Sequence, residues 1–118
     1  MGYPFRAEWE VTPRDTKTML ETPGSSAILL DCRRPDELQV VSIKGAVHIP
    51  MDQIERRADE LEDDSAGKDR PVLIICHSGR RSLRVATTLR AMGFPKAYSV
   101  AGGIDLWALD IDRSLPRY

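Results

Sequence analysis

PVLIICHSGRRS, residues 71–82, is the stretch of the chain that decides its fold. The five apolar residues from Val72 to Cys76 predict a strand that is covered on both faces, as in the centre of a parallel sheet. The turn at 77–79 leads into a helix that we expect to end near Met92, before Gly93. A buried strand that passes through a tight turn into a helix is typical of α/β domains.

The same alternation of strand and helix continues on both sides of this stretch. Apolar runs at 27–30, 46–49 and 97–100 predict three further strands. Residues 33–38 are interpreted as a loop with a short helical turn. Start signals predict three more helices: one from Thr12-Pro13 to about Glu21, one capped by Asp52 and reaching about Leu61, and one opened by Gly102-Gly103. The pattern predicts an α/β fold with a mostly parallel sheet.

Length and composition indicate one ordinary globular domain, which we expect to span residues 1–118. The chain has 118 residues, of which 42% are hydrophobic and 30% charged, and its formal net charge is −1. Such a balance excludes bulk electrostatic attraction to nucleic acid or to an anionic membrane, so we expect neither as a partner. The first residues lack the apolar core of a signal peptide, and no apolar run is long enough to span a bilayer.

The cysteines and histidines are few and scattered. Cys32 and Cys76 form no CxxC motif, and only His48 and His77 could join them around a metal. We therefore expect no metal and no other cofactor. The same count favours free thiols in a reducing cytoplasm, which is the predicted location.

Cys76 is the candidate nucleophile. A cysteine at the carboxyl end of a buried parallel strand lies at the edge of the sheet where ligands bind. The N–H groups of the following turn and the helix N-terminus favour a negative charge, and a thiolate carries one. Gly79 allows the turn to curl tightly enough for several N–H groups to converge on the sulfur.

Arg80 and Arg81 lie where a helix disfavours cations. Positive charges in the first turn oppose the helix dipole, so an anion nearby is the simplest compensation. That anion is the thiolate, a bound substrate, or both, and a guanidinium can grip an oxyanion with two hydrogen bonds. The alternatives are an inert core thiol and two solvated arginines. The spacing also fits a loop that grips phosphate, so the residues alone leave the substrate anion open.

Four segments, in this order, resemble the rhodanese-like sulfurtransferases over about residues 8–110. They are Leu29-Leu30-Asp31-Cys32-Arg33 with Pro35-Asp36-Glu37, Ile43-Lys44-Gly45-Ala46-Val47-His48-Ile49-Pro50, the loop from Cys76 to Ser82, and Gly102-Gly103-Ile104 with Trp107. Val41-Ser42 stands where the family commonly has Gly-His. The tail, residues 111–118, resembles that of rhodanese domains fused to adenylyltransferases of ubiquitin-like proteins, which pass sulfur to a carrier protein.

The resemblance implies a five-stranded, mostly parallel sheet with helices on both faces. It implies that Cys76 takes a sulfane sulfur from a donor such as thiosulfate, forms a persulfide, and passes the sulfur to cyanide, a thiol or a sulfur-carrier protein. The residues expected to bind substrate are those of the loop: His77, Ser78, Gly79, Arg80, Arg81 and Ser82. Among them, Arg81 is expected to cap the loop, with Arg80 nearer the entrance.

Two other functions stay open at this point. One is a noncatalytic rhodanese-like binding module, although such members usually lack the cysteine. The other is a cysteine-dependent phosphatase or arsenate reductase, but related phosphatases carry C-x5-R where Cys76 and Arg81 form the shorter C-x4-R. Cys32 is interpreted as a packed side chain, with a resolving thiol as the alternative. Around it, Asp31, Arg33, Asp36 and Glu37 are expected to form ion pairs that fix the loop.

Overall fold

The chain alternates strands with helices over residues 7–116 and 118, the part that this computed structural model describes. The strands are β1 (Glu10–Val11), β2 (Ile28–Asp31), β3 (Val47–His48), β4 (Val72–Ile75) and β5 (Ala97–Val100). The helices are α1 (Pro13–Glu21), α2 (Pro35–Val40), α3 (Ile54–Arg57), α4 (Arg80–Ala91) and α5 (Gly103–Asp110). Two 3₁₀ turns, Met51–Gln53 and Ala58–Leu61, flank α3.

The five strands form one sheet in the order β1-β5-β4-β2-β3, and every pairing between these described strands is parallel. This confirms the predicted fold class. β4 lies at the centre, with Ile74 opposite Leu30 of β2 and Ser99 of β5. All four of its residues are buried, as the continuous apolar run predicted. Because all strands run the same way, their carboxyl ends meet at one edge of the sheet.

Each face of the sheet is covered by its own pair of helices. On one face α3 and α4 pack over a cluster that includes Leu30, Ile74 and Cys76. On the other face α1 and α5 pack over Leu29 and Leu73, among other residues, and Trp107 lies in this second core. The helices on both faces therefore follow from the alternation of side chains along each strand.

Two local predictions differ from the structure. β1 was not predicted, because two residues carry no recognisable period. Asp52 does not cap a helix, and the predicted helix over 52–61 is divided between α3 and the two 3₁₀ turns. The N–H of Gln53 donates to the carbonyl oxygen of Pro50 at 2.8 Å, which closes the first turn at Pro50 and leaves Asp52 inside it.

The edge of β5 is covered by the segment around β1. The backbone N–H of Ser99 donates to the carbonyl oxygen of Trp9 at 2.7 Å, and that of Ala101 donates to Val11 at 2.8 Å. β1 is thereby held to a strand near the other end of the described chain. Among the described residues, no helix has the length and apolar character needed to cross a membrane.

Candidate active site

Cys76 follows β4 at the carboxyl edge of the sheet, and its buried sulfur is surrounded by hydrogen-bond donors. The backbone N–H of Gly79 donates to Cys76 Sγ at 3.0 Å, and that of Ser82 donates at 3.4 Å. The Ser82 hydroxyl oxygen lies 3.3 Å from the same sulfur. Because these donors converge on one atom, the loop is arranged to stabilise negative charge on the sulfur.

Gly79 makes the tight turn between Cys76 and α4 possible. It is the N-cap residue of α4 and has φ of +102°, in the left-handed region. A side chain at this position would be strained, whereas glycine adopts the conformation freely. The turn directs the N–H groups of Gly79 and Ser82 to the sulfur.

The N-terminus of α5 supports the loop from behind. The N–H of Ile104 donates to the carbonyl oxygen of Cys76 at 2.8 Å, and that of Asp105 donates to His77 at 3.2 Å. A Cβ atom built on Gly103 would lie 2.5 Å from the Cys76 carbonyl oxygen, so only glycine allows this close approach. The carbonyl oxygens of Cys76 and His77 are thus bound by α5, and the N–H groups of Gly79 and Ser82 are directed to the sulfur.

The two arginines of the loop have different surroundings. Arg80 is exposed and forms no ion pair with any residue in the described ranges. Arg81 forms a two-pronged ion pair with Glu37 of α2, and its Nη2 lies 2.8 Å from Glu37 Oε2. This bond raises the pKa of Arg81, and the nearby Cys76 sulfur adds to the rise. Arg81 is therefore held beside the loop as a fixed positive charge.

The residues after β2 form the predicted ion pairs. Arg33 pairs with Asp31, with Nη2 and Oδ2 2.8 Å apart, and both side chains are almost completely buried. Arg34 pairs with Asp36 on the surface. Together with the Glu37–Arg81 pair, they fix the segment by electrostatic contacts, and the Glu37–Arg81 pair connects it to the Cys76 loop.

Tyr118, for which the sequence predicted no role, joins the Arg33–Asp31 and Arg81–Glu37 ion pairs. Its hydroxyl donates to Glu37 Oε2 at 2.8 Å and accepts from Arg33 Nη1 at 2.9 Å. Its ring stacks on the His77 ring with centroids 4.1 Å apart. The tail therefore returns to the loop, and it contributes a hydrogen bond to a buried carboxylate.

These contacts make Glu37 a sensitive point for acid unfolding. The hydrogen bonds from Arg81 lower the pKa of Glu37 and outweigh burial, which raises it. With the hydrogen bond from Tyr118, they bring this pKa from 4.5 to about 2. A carboxyl with a lowered pKa in the folded state stabilises the fold above pH 4.5, and that contribution is lost as the pH falls towards 2. We expect Glu37→Gln to lower the free energy of unfolding at neutral pH and to flatten its decline over this acidic window. Urea unfolding at several pH values measures both effects.

The matched control for this prediction is Glu62→Gln. Glu62 is exposed, and within the described part of the chain its carboxylate forms no ion pair or hydrogen bond. The control should therefore keep the wild-type dependence of stability on pH. An equally steep decline in Glu37→Gln and wild type would contradict the role assigned to Glu37.

The remaining predicted residues take different positions. His77 Nε2 lies 3.2 Å from Asp105 Oδ1, so its side chain points to α5 as well as to the tail, and Ser78 is exposed. Cys32 is buried in the core, as predicted, and its burial, with the neighbouring Cys76 sulfur, raises the pKa of its thiol. It also reaches a cavity of about 460 Å³ beside the loop, lined by residues that include Met51 and Arg81.

Ser99 is a second residue near the site that the sequence analysis missed. It lies in β5, and its buried hydroxyl oxygen is 2.6 Å from that of Ser82. A serine between Tyr98 and Val100 in an otherwise apolar run was the available signal. No group of three or more His, Cys, Asp or Glu side chains in residues 7–116 and 118 could hold a metal ion.

Known proteins share both the sequence pattern and the fold. The family model for the rhodanese-like domain matches residues 12–110. Adenylyltransferase and sulfurtransferase UBA4 of Candida albicans is 29% identical over 98% of this chain, which covers 27% of that protein. Putative sulfur carrier protein YrkF of Bacillus subtilis is 40% identical over 67% of this chain, which covers 40% of that protein.

A solved structure gives the same result. The thiosulfate sulfurtransferase of Pseudomonas aeruginosa superimposes with a TM-score of 0.74 and 26% identity, over 88% of this chain and 19% of that one. The chain spans about a quarter to two fifths of the length of the two curated relatives named above. The fold, the order of the motifs and these matches agree, and the chain belongs to the rhodanese-like family of sulfurtransferase domains.

Proposed function

We propose that this domain moves a sulfane sulfur from a donor such as thiosulfate to a thiophilic acceptor through a persulfide on Cys76. The observation that carries the proposal is the convergence of the Gly79 N–H, the Ser82 N–H and the Ser82 hydroxyl on one buried sulfur. Donors in this arrangement favour a thiolate, which is the nucleophilic form of cysteine. Membership of the family supports sulfur transfer as the reaction class.

The reaction has two displacement steps. In the first, the Cys76 thiolate attacks the outer sulfur of thiosulfate, a sulfur–sulfur bond forms, and sulfite leaves with the electron pair of the bond that breaks. In the second, a nucleophile such as cyanide attacks the outer sulfur of the persulfide, and the Cys76 thiolate is regenerated as thiocyanate leaves. This is covalent catalysis of the ping-pong type, and it needs no general base once the thiolate is present.

The loop residues have separate roles in this scheme. Gly79 and Ser82 hold the sulfur with their hydrogen bonds, and the backbone of His77 and Ser78 completes the loop around it. Arg81, fixed by Glu37, provides positive charge beside the thiolate and the departing sulfite. Arg80, exposed at the start of α4, attracts the anionic donor.

The acceptor in the cell is proposed to be a thiol or a sulfur-carrier protein. The relatives support this choice, because one is named a sulfurtransferase and the other a putative sulfur carrier. The net charge of −1 argues against nucleic acid or an anionic membrane as a partner. We place the protein in a reducing cytoplasm, a proposal supported by its two free cysteines.

Intact mass spectrometry tests the proposed function directly. After incubation with thiosulfate, the protein should gain the mass of one sulfur atom, and cyanide should remove it. Peptide mapping should place the added sulfur on Cys76 and leave Cys32 unmodified. A folded protein that gains no sulfur from thiosulfate but hydrolyses an aryl phosphate would replace this proposal with the phosphatase alternative.

The two arginines should respond differently to substitution. Removing a charge-assisted contact costs about 1.5–3 kcal/mol, so Arg81→Ala should lower kcat/KM for thiosulfate roughly 10- to 150-fold. Arg81→Lys should recover only part of this loss, because an ammonium cannot make the two-pronged contact with Glu37.

Arg80→Ala should lower kcat/KM less than Arg81→Ala does, and its effect should lie in KM and in the salt dependence. Steady-state kinetics at two salt concentrations measures these effects, and equal losses at both positions would show the roles to be wrong.

A further inference from the structure

Ser99 carries a hydroxyl into a place where an apolar side chain would be expected. It is completely buried in β5. Burial of a hydroxyl costs free energy unless it is hydrogen-bonded. Its side-chain partners are the Ser82 hydroxyl at 2.6 Å and the Gly79 carbonyl oxygen at 3.4 Å. Ser82 is itself completely buried, and its hydroxyl oxygen lies 3.3 Å from Cys76 Sγ. Ser99 therefore contacts the reactive sulfur through the Ser82 side chain.

The direction of these hydrogen bonds depends on the state of the sulfur. Each serine has one hydroxyl proton, and a thiolate can only accept. When Cys76 is a thiolate, Ser82 donates to it, and the Ser82 oxygen is then free to accept from Ser99. The oxygen–oxygen distance of 2.6 Å is that of a good hydroxyl hydrogen bond, whereas 3.4 Å from Ser99 to Gly79 is long. The distances therefore fit the direction from Ser99 through Ser82 to the sulfur.

A neutral thiol also permits the opposite direction. Its S–H can donate to the Ser82 oxygen, so that Ser82 donates to Ser99 and Ser99 donates to the Gly79 carbonyl. The hydroxyls of Ser82 and Ser99 each have a hydrogen-bond acceptor in both arrangements. The pair of serines can thus follow the charge of Cys76 without leaving either hydroxyl proton unpaired.

We propose that Ser99 is a positioning residue for sulfur transfer, which orients the Ser82 hydroxyl so that it donates to the Cys76 thiolate. The inference rests on the proposed function for its meaning in catalysis. The geometry behind the inference does not depend on which sulfur donor or sulfur acceptor the protein uses. Ser99 matters because a serine at the start of a helix can also direct its proton to a carbonyl three or four residues before it, which for Ser82 is that of Gly79 or Ser78. A hydrogen bond from Ser99 occupies a lone pair of the Ser82 oxygen and favours donation of the Ser82 proton to the sulfur, and hydrogen bonds in such a series strengthen one another.

Alkylation of Cys76 by iodoacetamide tests the inference without any sulfur transfer. The rate is followed against pH, and peptide mass spectrometry separates Cys76 from Cys32. Ser99 strengthens donation by Ser82 to the sulfur only in the thiolate state, so loss of about 1 kcal/mol of this effect should slow the reaction of Ser99→Ala roughly fivefold at a fixed pH on the rising limb. This corresponds to an upward movement of the profile midpoint by about 0.7 pH unit. Ser82→Ala, which loses the donor itself, should move it further in the same direction.

The double variant separates positioning from simple packing. If Ser99 acts through Ser82, then Ser82→Ala with Ser99→Ala should have the midpoint of Ser82→Ala alone. Thr16→Val is the matched control, because Thr16 on α1 is completely buried and its hydroxyl donates to the carbonyl oxygen of Thr12. Its loss should lower stability without moving the midpoint of the alkylation profile. An unmoved midpoint in Ser99→Ala, or additive shifts in the double variant, would overturn the inference. Absence of persulfide formation in the wild type would instead refute the proposed function and leave this result standing.

Discussion

Cys76→Ser should abolish the transfer of sulfur from thiosulfate to cyanide. The hydroxyl of serine is scarcely ionised near neutral pH, so the hydrogen bonds that stabilise a thiolate would surround a poor nucleophile. The fold should survive, because serine can keep the contacts with Gly79 and Ser82 at the end of β4. The production of thiocyanate measures the activity, and thermal unfolding checks that the variant is folded.

Cys32→Ser provides the matched control. Cys32 is buried, its raised pKa keeps it protonated, and its sulfur lies 3.6 Å from the carbonyl oxygen of Ile75. A serine hydroxyl can donate to the same oxygen, so most of the activity should remain. Wild-type turnover by Cys76→Ser would refute the proposed mechanism, and loss of turnover in Cys32→Ser would favour the resolving role that was the alternative for this thiol.

Arg33→Ala should have the largest effect on stability. The Arg33 side chain is 0% exposed and that of its partner Asp31 is 1% exposed. The same guanidinium donates to the carbonyl oxygen of Val41 at 2.7 Å and to Tyr118. Its removal leaves the Asp31 carboxylate buried without its counter-ion, which typically costs about 3–5 kcal/mol. Urea unfolding should show a loss of this size in the free energy of unfolding.

Arg34→Ala is the neighbouring control. Arg34 and Asp36 form the same kind of pair on the surface, where the side chains are 68% and 70% exposed. Exposed pairs contribute little because water and salt screen them. The midpoint of urea unfolding should therefore remain close to that of the wild type. If the two arginine variants lost similar stability, burial would not be the factor that makes the Arg33 pair important.

Most of the fold could be predicted because its signals are local. The apolar runs that became β2, β4 and β5 are each bounded by turn residues, and strands that alternate with helices imply parallel pairing. β1 could not be predicted, because Glu10 and Val11 form a strand only through their pairing with β5. Asp52 has the composition of a cap, but the turn closed by Pro50 decides where the helical segment begins.

The same distinction holds for the site, where contacts within one segment could be predicted and contacts between distant segments could not. Cys76, Gly79 and Ser82 lie within seven consecutive residues, so the motif alone brought them together. Glu37 binds Arg81 across 44 positions of sequence, and Tyr118 lies 81 positions from Glu37. Such partners are chosen by the packing of α2 and the tail around the sheet edge. The sequence predicted an ion pair for Glu37 but did not identify Arg81 as its partner.

The short β1 has a consequence for how the protein opens. Backbone hydrogen bonds that include those from Ser99 to Trp9 and from Ala101 to Val11 attach this segment to the outer edge of β5. Local fraying of so short a strand needs far less free energy than global unfolding. When it frays, β5 presents unpaired N–H and C=O groups to other chains, and such an edge is a template for aggregation. The protein's resistance to aggregation therefore depends on the segment around β1, and deuterium uptake at the amides of Ser99 and Ala101 reports how often that protection is lost.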